Sequence, residues 1–283
     1  LYQFAWSHSD WAVKQNIALG NFDFANEPLS WLSDRLVMFL FRRGDVSPSQ
    51  ARFAWNVPKN FWNSDMPLEY PLDFSRLGLI AGVGTVVDNR QVPGVQVISA
   101  NAAAGKAPLP DRKIQALRQT LLRTGVAESS TGELRLDSRK NTLAIQTPRT
   151  LSATLASGNL TAGALTVRQV TYPTTVSVSS LDDAPVARSG KLLLFHLTNV
   201  IDSGTTFKGE KMQYLLKWGK LPHLVRRAPA KVSLRLDGDT VPKVEALHFD
   251  GTVRGEVKST FANGVLSFTA DPGCFPGGVM VYW

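Results

Sequence analysis

From residue 67 onward the chain is cut into short runs rich in Val, Thr, Leu and Ile, each closed by Gly, Pro, Asn or Asp. Side chains branched at Cβ suit a pleated strand, and turn residues at this spacing leave little room for long helices. Candidate strands fall at 79–87, 95–98, 133–137, 142–147, 164–172, 175–179 and 191–198. Five more follow at 231–236, 244–249, 251–257, 265–269 and 279–283. Asp137-Ser138-Arg139-Lys140-Asn141 reads as the connection of a hairpin, and Asn263-Gly264 is a two-residue hairpin signal between apolar runs. One helix interrupts the strands: Asp111 caps it, Ile114, Leu117 and Leu121 form its apolar stripe, and Gly125 ends it. The strand spacing predicts a mainly β fold, with a β-sandwich over 67–205 that carries the inserted helix. Residues 206–283 form a second sandwich or complete the first.

Residues 1–66 read differently. Five of the seven Trp lie here, at 6, 11, 31, 55 and 62. Leu1-Tyr2-Gln3-Phe4-Ala5-Trp6 has the character of a buried strand. Asp23, Asn26 and Pro28 give a helix start, with Glu27 in a first turn that favours acidic residues. Leu29, Leu32, Leu36 and Phe39 or Leu40 repeat at helical spacing, and Gly44 closes the helix. Ser47 and Pro48 suggest a second short helix. Strand, loop and amphipathic helix make one β/α unit, and a lone unit cannot bury both its faces. An orphaned strand must pair with something. The expectation is that the chain is the C-terminal part of a longer polypeptide, or that a partner supplies the rest.

The remaining composition removes several classes of function. No apolar run approaches the roughly 18–20 residues of a membrane-spanning helix, so no membrane span is expected. The single cysteine, Cys274, excludes an internal disulfide and a Cys-rich metal site. The net charge of +8 comes from scattered residues that gather only as the pairs Arg42-Arg43, Arg139-Lys140 and Arg226-Arg227. Nucleic acid therefore ranks last among partners. The four His, at 8, 196, 223 and 248, are not spaced as metal ligands. His196 is expected to be a strand histidine with a satisfied ring. No nucleotide-binding, HExxH, GxSxG or EF-hand pattern occurs, and neither a metal nor a cofactor is expected.

The informative cluster is Trp6-Ser7-His8-Ser9-Asp10-Trp11, directly after the first candidate strand. If that strand belongs to a parallel barrel, its carboxyl end is where active sites are built. An indole there offers a flat apolar face to a sugar ring, and His8 and Asp10 could hydrogen-bond hydroxyls. Trp6 and Trp11 could equally fill a junction between domains. Glycoside hydrolysis needs two carboxylates. Asp10 alone is available, because Asp23 and Glu27 belong to the helix start. Substrate-binding candidates are thus Trp6, His8, Asp10 and Trp11, with no catalytic residue in the chain.

These stretches carry a resemblance. Tyr2-Gln3-Phe4-Ala5-Trp6-Ser7-His8, then Phe22-Asp23-Phe24-Ala25-Asn26-Glu27-Pro28 and Phe41-Arg42-Arg43-Gly44-Asp45-Val46, resemble the end of a clan A glycoside hydrolase barrel. The likeness is to large bacterial proteins related to the family 42 β-galactosidase-like enzymes. Gly132-Glu133-Leu134-Arg135-Leu136-Asp137, Thr147-Pro148-Arg149, Leu266-Ser267-Phe268-Thr269-Ala270-Asp271 and Phe275-Pro276-Gly277-Gly278-Val279 resemble the C-terminal β-rich region of the same proteins.

The resemblance implies that Tyr2–Trp6 is the eighth strand of a (β/α)8 barrel and Leu29–Arg42 its eighth helix. The acid/base and the nucleophile would then lie upstream of residue 1. Trp6 would floor the sugar subsite, with His8 beside it. The expectation is the C-terminal portion of a secreted or periplasmic bacterial glycoside hydrolase. Its own part is to complete the barrel and contribute aromatic contacts to a carbohydrate. The alternatives are a non-catalytic carbohydrate-binding module and a structural β-sandwich.

Overall fold

A computed structural model of the chain describes residues 27–60, 71–209, 212, 214–238 and 240–283. The protein is mainly β and holds several sheets. It divides into two compact units, the described part of Leu1–Asp45 together with Pro148–Trp283, and Val46–Thr147. The strand expected at 2–6, and with it Trp6, His8, Asp10 and Trp11, lies outside the described residues, as do Asp23 and Asn26.

Helix α1 (Pro28–Val37) begins where proline's missing N–H costs nothing. Its cap is Glu27, which the sequence places inside the first turn. The Glu27 carboxylate accepts the N–H of Leu29 at 3.1 Å and of Ser30 at 2.7 Å. Leu32, Leu36 and Leu40 form the buried stripe. The last turn, Met38–Arg42, widens into a π-helix before Gly44 takes a left-handed φ of 75°.

The unit Val46–Thr147 begins without the short helix expected at Ser47 and Pro48. Ser47 starts no helix. Its N–H and hydroxyl both bond the Glu133 carboxylate at 2.8 Å, and the chain runs on into β1 (Arg52–Val57). A short helix α2 (Leu72–Leu77) with Pro71 at its cap leads to β2 (Gly82–Val87) and β3 (Gln96–Ile98). These three strands form a parallel sheet in the order β2-β1-β3. A stretch from 79 that reads as one strand therefore begins in the turn that ends α2. The strands expected at 79–87 and 95–98 are thus present as β2 and β3, while β1 was not expected from the sequence.

Two helices follow, α3 (Ala100–Ala103) and α4 (Arg112–Thr124). The ends of α4 match the sequence: Asp111 accepts the Ile114 N–H at 3.0 Å, and Gly125 turns left-handed with its N–H on Leu121 O at 2.8 Å. Phe53, Phe74, Leu77, Ile80, Ile98 and Ile114 are the centre of this unit's core. Arg118 is buried among them and donates to Ala102 O at 2.9 Å, closing the carboxyl end of α3. The strands β4 (Val126–Glu128), β5 (Leu134–Asp137) and β6 (Thr142–Gln146) make two antiparallel hairpins. Asp137 holds the second turn by accepting the N–H groups of Arg139 and Lys140.

The other unit is built from β7 (Thr150–Leu155), β8 (Gly158–Ala162), β9 (Leu165–Val170), β10 (Thr174–Ser180) and β11 (Leu192–Leu197). A paired ribbon comes next: β12 (Val200–Ser203), β13 (Thr206–Phe207), β14 (Leu215–Lys217) and β15 (Lys220–Val225). The chain closes with β16 (Ala230–Arg235), β17 (Glu245–Leu247), β18 (Val253–Glu256), β19 (Ser259–Ala262), β20 (Val265–Ala270) and β21 (Val281–Tyr282).

Within this unit, β18-β17-β21-β11-β10-β7 run as one ladder and β19-β20-β16-β9-β8 as another. Val176, Val178, Leu194 and Tyr282 from the first face Val232, Leu234, Leu266 and Phe268 from the second. The rings of Phe268 and Tyr282 lie 5.6 Å apart. This is sheet-on-sheet packing with strand alternation on β16 and β20. The Asn263-Gly264 turn forms as read, both residues at positive φ between Ala262 and Val265.

His196 lies in that core, wholly buried, and neither ring nitrogen has a hydrogen bond of ordinary geometry among the described residues. The satisfied ring expected from sequence is therefore absent. Burial pushes its pKa from 6.5 down to about 4, against the opposing charge of Asp271 and the main chain of Ala228. The unfolded chain binds the proton first, so this contribution is complete above pH 6.5 and is lost as the pH falls through 4. Urea unfolding between pH 7 and 4 should show a loss of up to about 3 kcal/mol assignable to this group. A His196→Leu variant should flatten that window, and an unsloped wild-type profile would contradict the assignment.

Candidate functional site

The outer face of the six-stranded ladder carries a row of small hydroxyls. Thr150 and Ser152 of β7 stand opposite Ser179 and Ser177 of β10, and all four are buried. Hydroxyl side chains in a sheet interior need partners, and a carboxylate from outside the sheet supplies one. Asp45, just beyond the end of the π-helix, is buried and accepts the Thr150 hydroxyl at 2.7 Å, while Thr150 pairs with Ser179 at 2.7 Å.

Two guanidinium groups close on the same carboxylate. Arg43 binds it through both Nε, at 2.9 Å to Oδ1, and a terminal nitrogen to Oδ2. Arg149 reaches Oδ1 at 2.8 Å and extends its other arm to Asp183 at 2.9 Å. Arg43 also donates to Ser180 O at 2.6 Å and covers the Phe39 ring at 4.5 Å. Phe39 in turn stacks on Phe195 of β11, with centroids 6.4 Å apart. The end of α1 is thus fixed to the sheet by charge, hydrogen bonds and ring contacts together.

Fixing α1 there leaves a groove of about 570 Å³ between the helix and the sheet's outer face. Its floor is Leu32, Phe39, Leu193, Phe195 and Val281. Trp31 and Phe249 stand on its walls, 46% and 51% exposed. Asp34, Arg35 and His248 bring polar groups to the same opening. Arg35 has no carboxylate partner among the described residues. An apolar floor, exposed rings and a few polar groups describe a site for a ligand with flat apolar faces and polar edges. Among the described residues Asp34 is the one carboxylate lining the groove, and they supply no second one for the pair that hydrolysis requires.

The second concavity belongs to the other unit. In a parallel sheet of order β2-β1-β3, the chain leaves β1 for a neighbour on one side and returns on the other. Ligands favour the crevice at the carboxyl ends of strands at such a switch point. Here Trp55 and Asn56 end β1, Ile98 ends β3, and Ser99 caps α3. With Asn89 they surround about 370 Å³. The Asn56 carbonyl accepts the Asn89 N–H at 2.6 Å, which fixes the amide's orientation and turns its –NH2 toward other acceptors.

The sequence-derived candidates Trp6, His8, Asp10 and Trp11 lie outside the described residues, so neither concavity can be assigned to them. The groove residues Trp31 and Phe249 are more than 200 positions apart, and only tertiary pairing brings them together. Among the described residues no group of three or more His, Cys, Asp or Glu is placed to hold a metal ion. No helix among them is long and apolar enough to cross a membrane. Comparison of the chain with family models, with curated proteins and with solved structures gives no match.

Burial alone would raise the Asp45 carboxyl, but hydrogen bonds from Arg43 and Thr150 and the charges of Arg43 and Arg149 outweigh it and hold its pKa below 3.8. Its contribution is therefore complete above pH 3.8 and is lost as the pH falls further. Asp45→Asn should cost about 2 kcal/mol in urea unfolding at pH 7, less than for a fully enclosed pair because both arginines are partly solvated. A change below about 0.5 kcal/mol would contradict the anchoring role.

Proposed function

We propose that this chain is the carbohydrate-engaging C-terminal portion of a secreted or periplasmic bacterial glycoside hydrolase. The observation that carries the reading is the groove beside α1, open to solvent, with Trp31 and Phe249 on its walls. A pyranose ring presents axial C–H bonds on its face and hydroxyls on its edge. The indole takes the face, and Arg35, Asp34 and His248 take the edge. The chain binds glycan and leaves bond cleavage to two carboxylates upstream of residue 1. In this reading α1 with its π-helical extension is the last helix of a (β/α)8 barrel, and the sheets that follow are the enzyme's β-sandwich region.

The test is affinity electrophoresis through gels containing soluble plant and bacterial polysaccharides. At least one should retard the chain, and Trp31→Ala should weaken that binding about tenfold, the loss expected for one ring-face contact. Retardation unchanged by Trp31→Ala and by Phe249→Ala would remove the groove from the proposal. Glycoside hydrolysis by the chain alone would remove the upstream carboxylates.

A second reading rests on the crevice at the ends of β1 and β3. Its position at a switch point favours a small polar ligand, such as one sugar ring held by the Asn56 and Asn89 amides against Trp55. Asn56→Ala should then abolish any thermal upshift that a monosaccharide panel produces in the wild type, leaving binding in the groove intact.

A further inference from the structure

The described residues of 200–209 and 214–227 form a β-ribbon. Its outgoing strand is β12 with β13, and its returning strand is β14 with β15. Among the described residues these strands pair only with each other. The ribbon is rooted where the Arg226 N–H bonds Asn199 O at 2.7 Å, and it ends where the Lys208 N–H bonds Tyr214 O at 2.8 Å. Gly219 lets the strands cross closely, since a Cβ there would stand 2.3 Å from the Thr205 hydroxyl and 2.5 Å from the Asp202 Cβ.

The outer surface of this ribbon is unusual. Tyr214 is 68% exposed, Leu216 65% and Trp218 50%, all along or beside the short strand β14. Leu221 and Leu224 are exposed on β15. The same 28 positions carry six Lys and Arg against two acidic residues, which is half of the chain's net charge of +8. Lys208, Lys217 and Lys220 are exposed and have no carboxylate partner among the described residues. Asp202 is engaged by His223 Nδ1 at 2.7 Å. Lys208, Lys217 and Lys220 thus share one ribbon with the exposed rings and leucines, whereas Arg227 at its root is paired with Asp271 at 2.8 Å.

We infer that this ribbon is a docking arm for an anionic lipid surface. The apolar members separate this partner from other polyanions. Nucleic acids and sulfated glycans reward arginine and ring stacking, and gain nothing from three exposed leucines. A bilayer interface accepts leucine below the headgroups, holds Trp and Tyr at their level, and attracts lysine to anionic phosphates. The arm lies on the surface and does not span it.

The experiment is co-sedimentation of the full chain with vesicles of phosphatidylcholine alone and of phosphatidylcholine with phosphatidylglycerol. Binding should be at least about tenfold stronger to the anionic vesicles, and should fall with added salt. Lys217→Glu with Lys220→Glu should lower it by about tenfold or more. Leu216→Ser with Trp218→Ser should lower it comparably at constant charge. All four positions are exposed, so both variants should keep the wild-type melting temperature. Failure to bind anionic vesicles would overturn the inference. So would equal binding to both vesicle types, apolar variants that bind as well as wild type, or tighter capture by soluble heparin than by vesicles.

Discussion

One buried carboxylate organises the face on which the groove lies. Asp45 accepts the Thr150 hydroxyl of the sheet and binds the two guanidinium groups beside it, and no single partner accounts for its position. A carboxylate taken out of water is costly unless its lone pairs are satisfied, and here Thr150, Arg43 and Arg149 satisfy them. The same contacts set the end of α1 at a fixed place on the sheet. Arg43 carries the constraint onward to Phe39, and Phe39 carries it to Phe195 on the groove floor. The groove's width is therefore a consequence of the ion pair, not of α1's own helical propensity.

Local chemistry was legible where one turn or cap decided the outcome. Asp111 and Gly125 bound a helix, and Asn263-Gly264 forms a hairpin, because each satisfies backbone groups within a few residues. Helix α1 was legible from its stripe, although Glu27 is its cap and not a first-turn residue. Strands β2 and β3 were legible as apolar runs within 79–87 and 95–98, but β1 was not, and nothing local in the sequence showed that the three pair in parallel. Ser47 failed for a related reason: its partner, Glu133, is 86 residues away.

The candidate site was less legible than the fold. Trp31 was visible as one of five tryptophans near the amino end, but nothing in sequence joined it to Phe249 or to the apolar floor. The cationic arm was hidden the same way. Counting runs of like charge finds only Arg226-Arg227, because Lys208, Lys217 and Lys220 stand apart in sequence and only the strand pairing places them on one ribbon.

The most direct measurement is two-dimensional NMR of the seven tryptophan indole N–H groups during titration with oligosaccharides of differing composition. The expected result is a saturable shift of the Trp31 indole signal for at least one oligosaccharide, with the signal of Trp218, which does not line the groove, unmoved. A Trp31 signal that stays fixed across the panel while another indole responds would place the glycan elsewhere. Signals unmoved by every oligosaccharide would contradict carbohydrate binding by this chain.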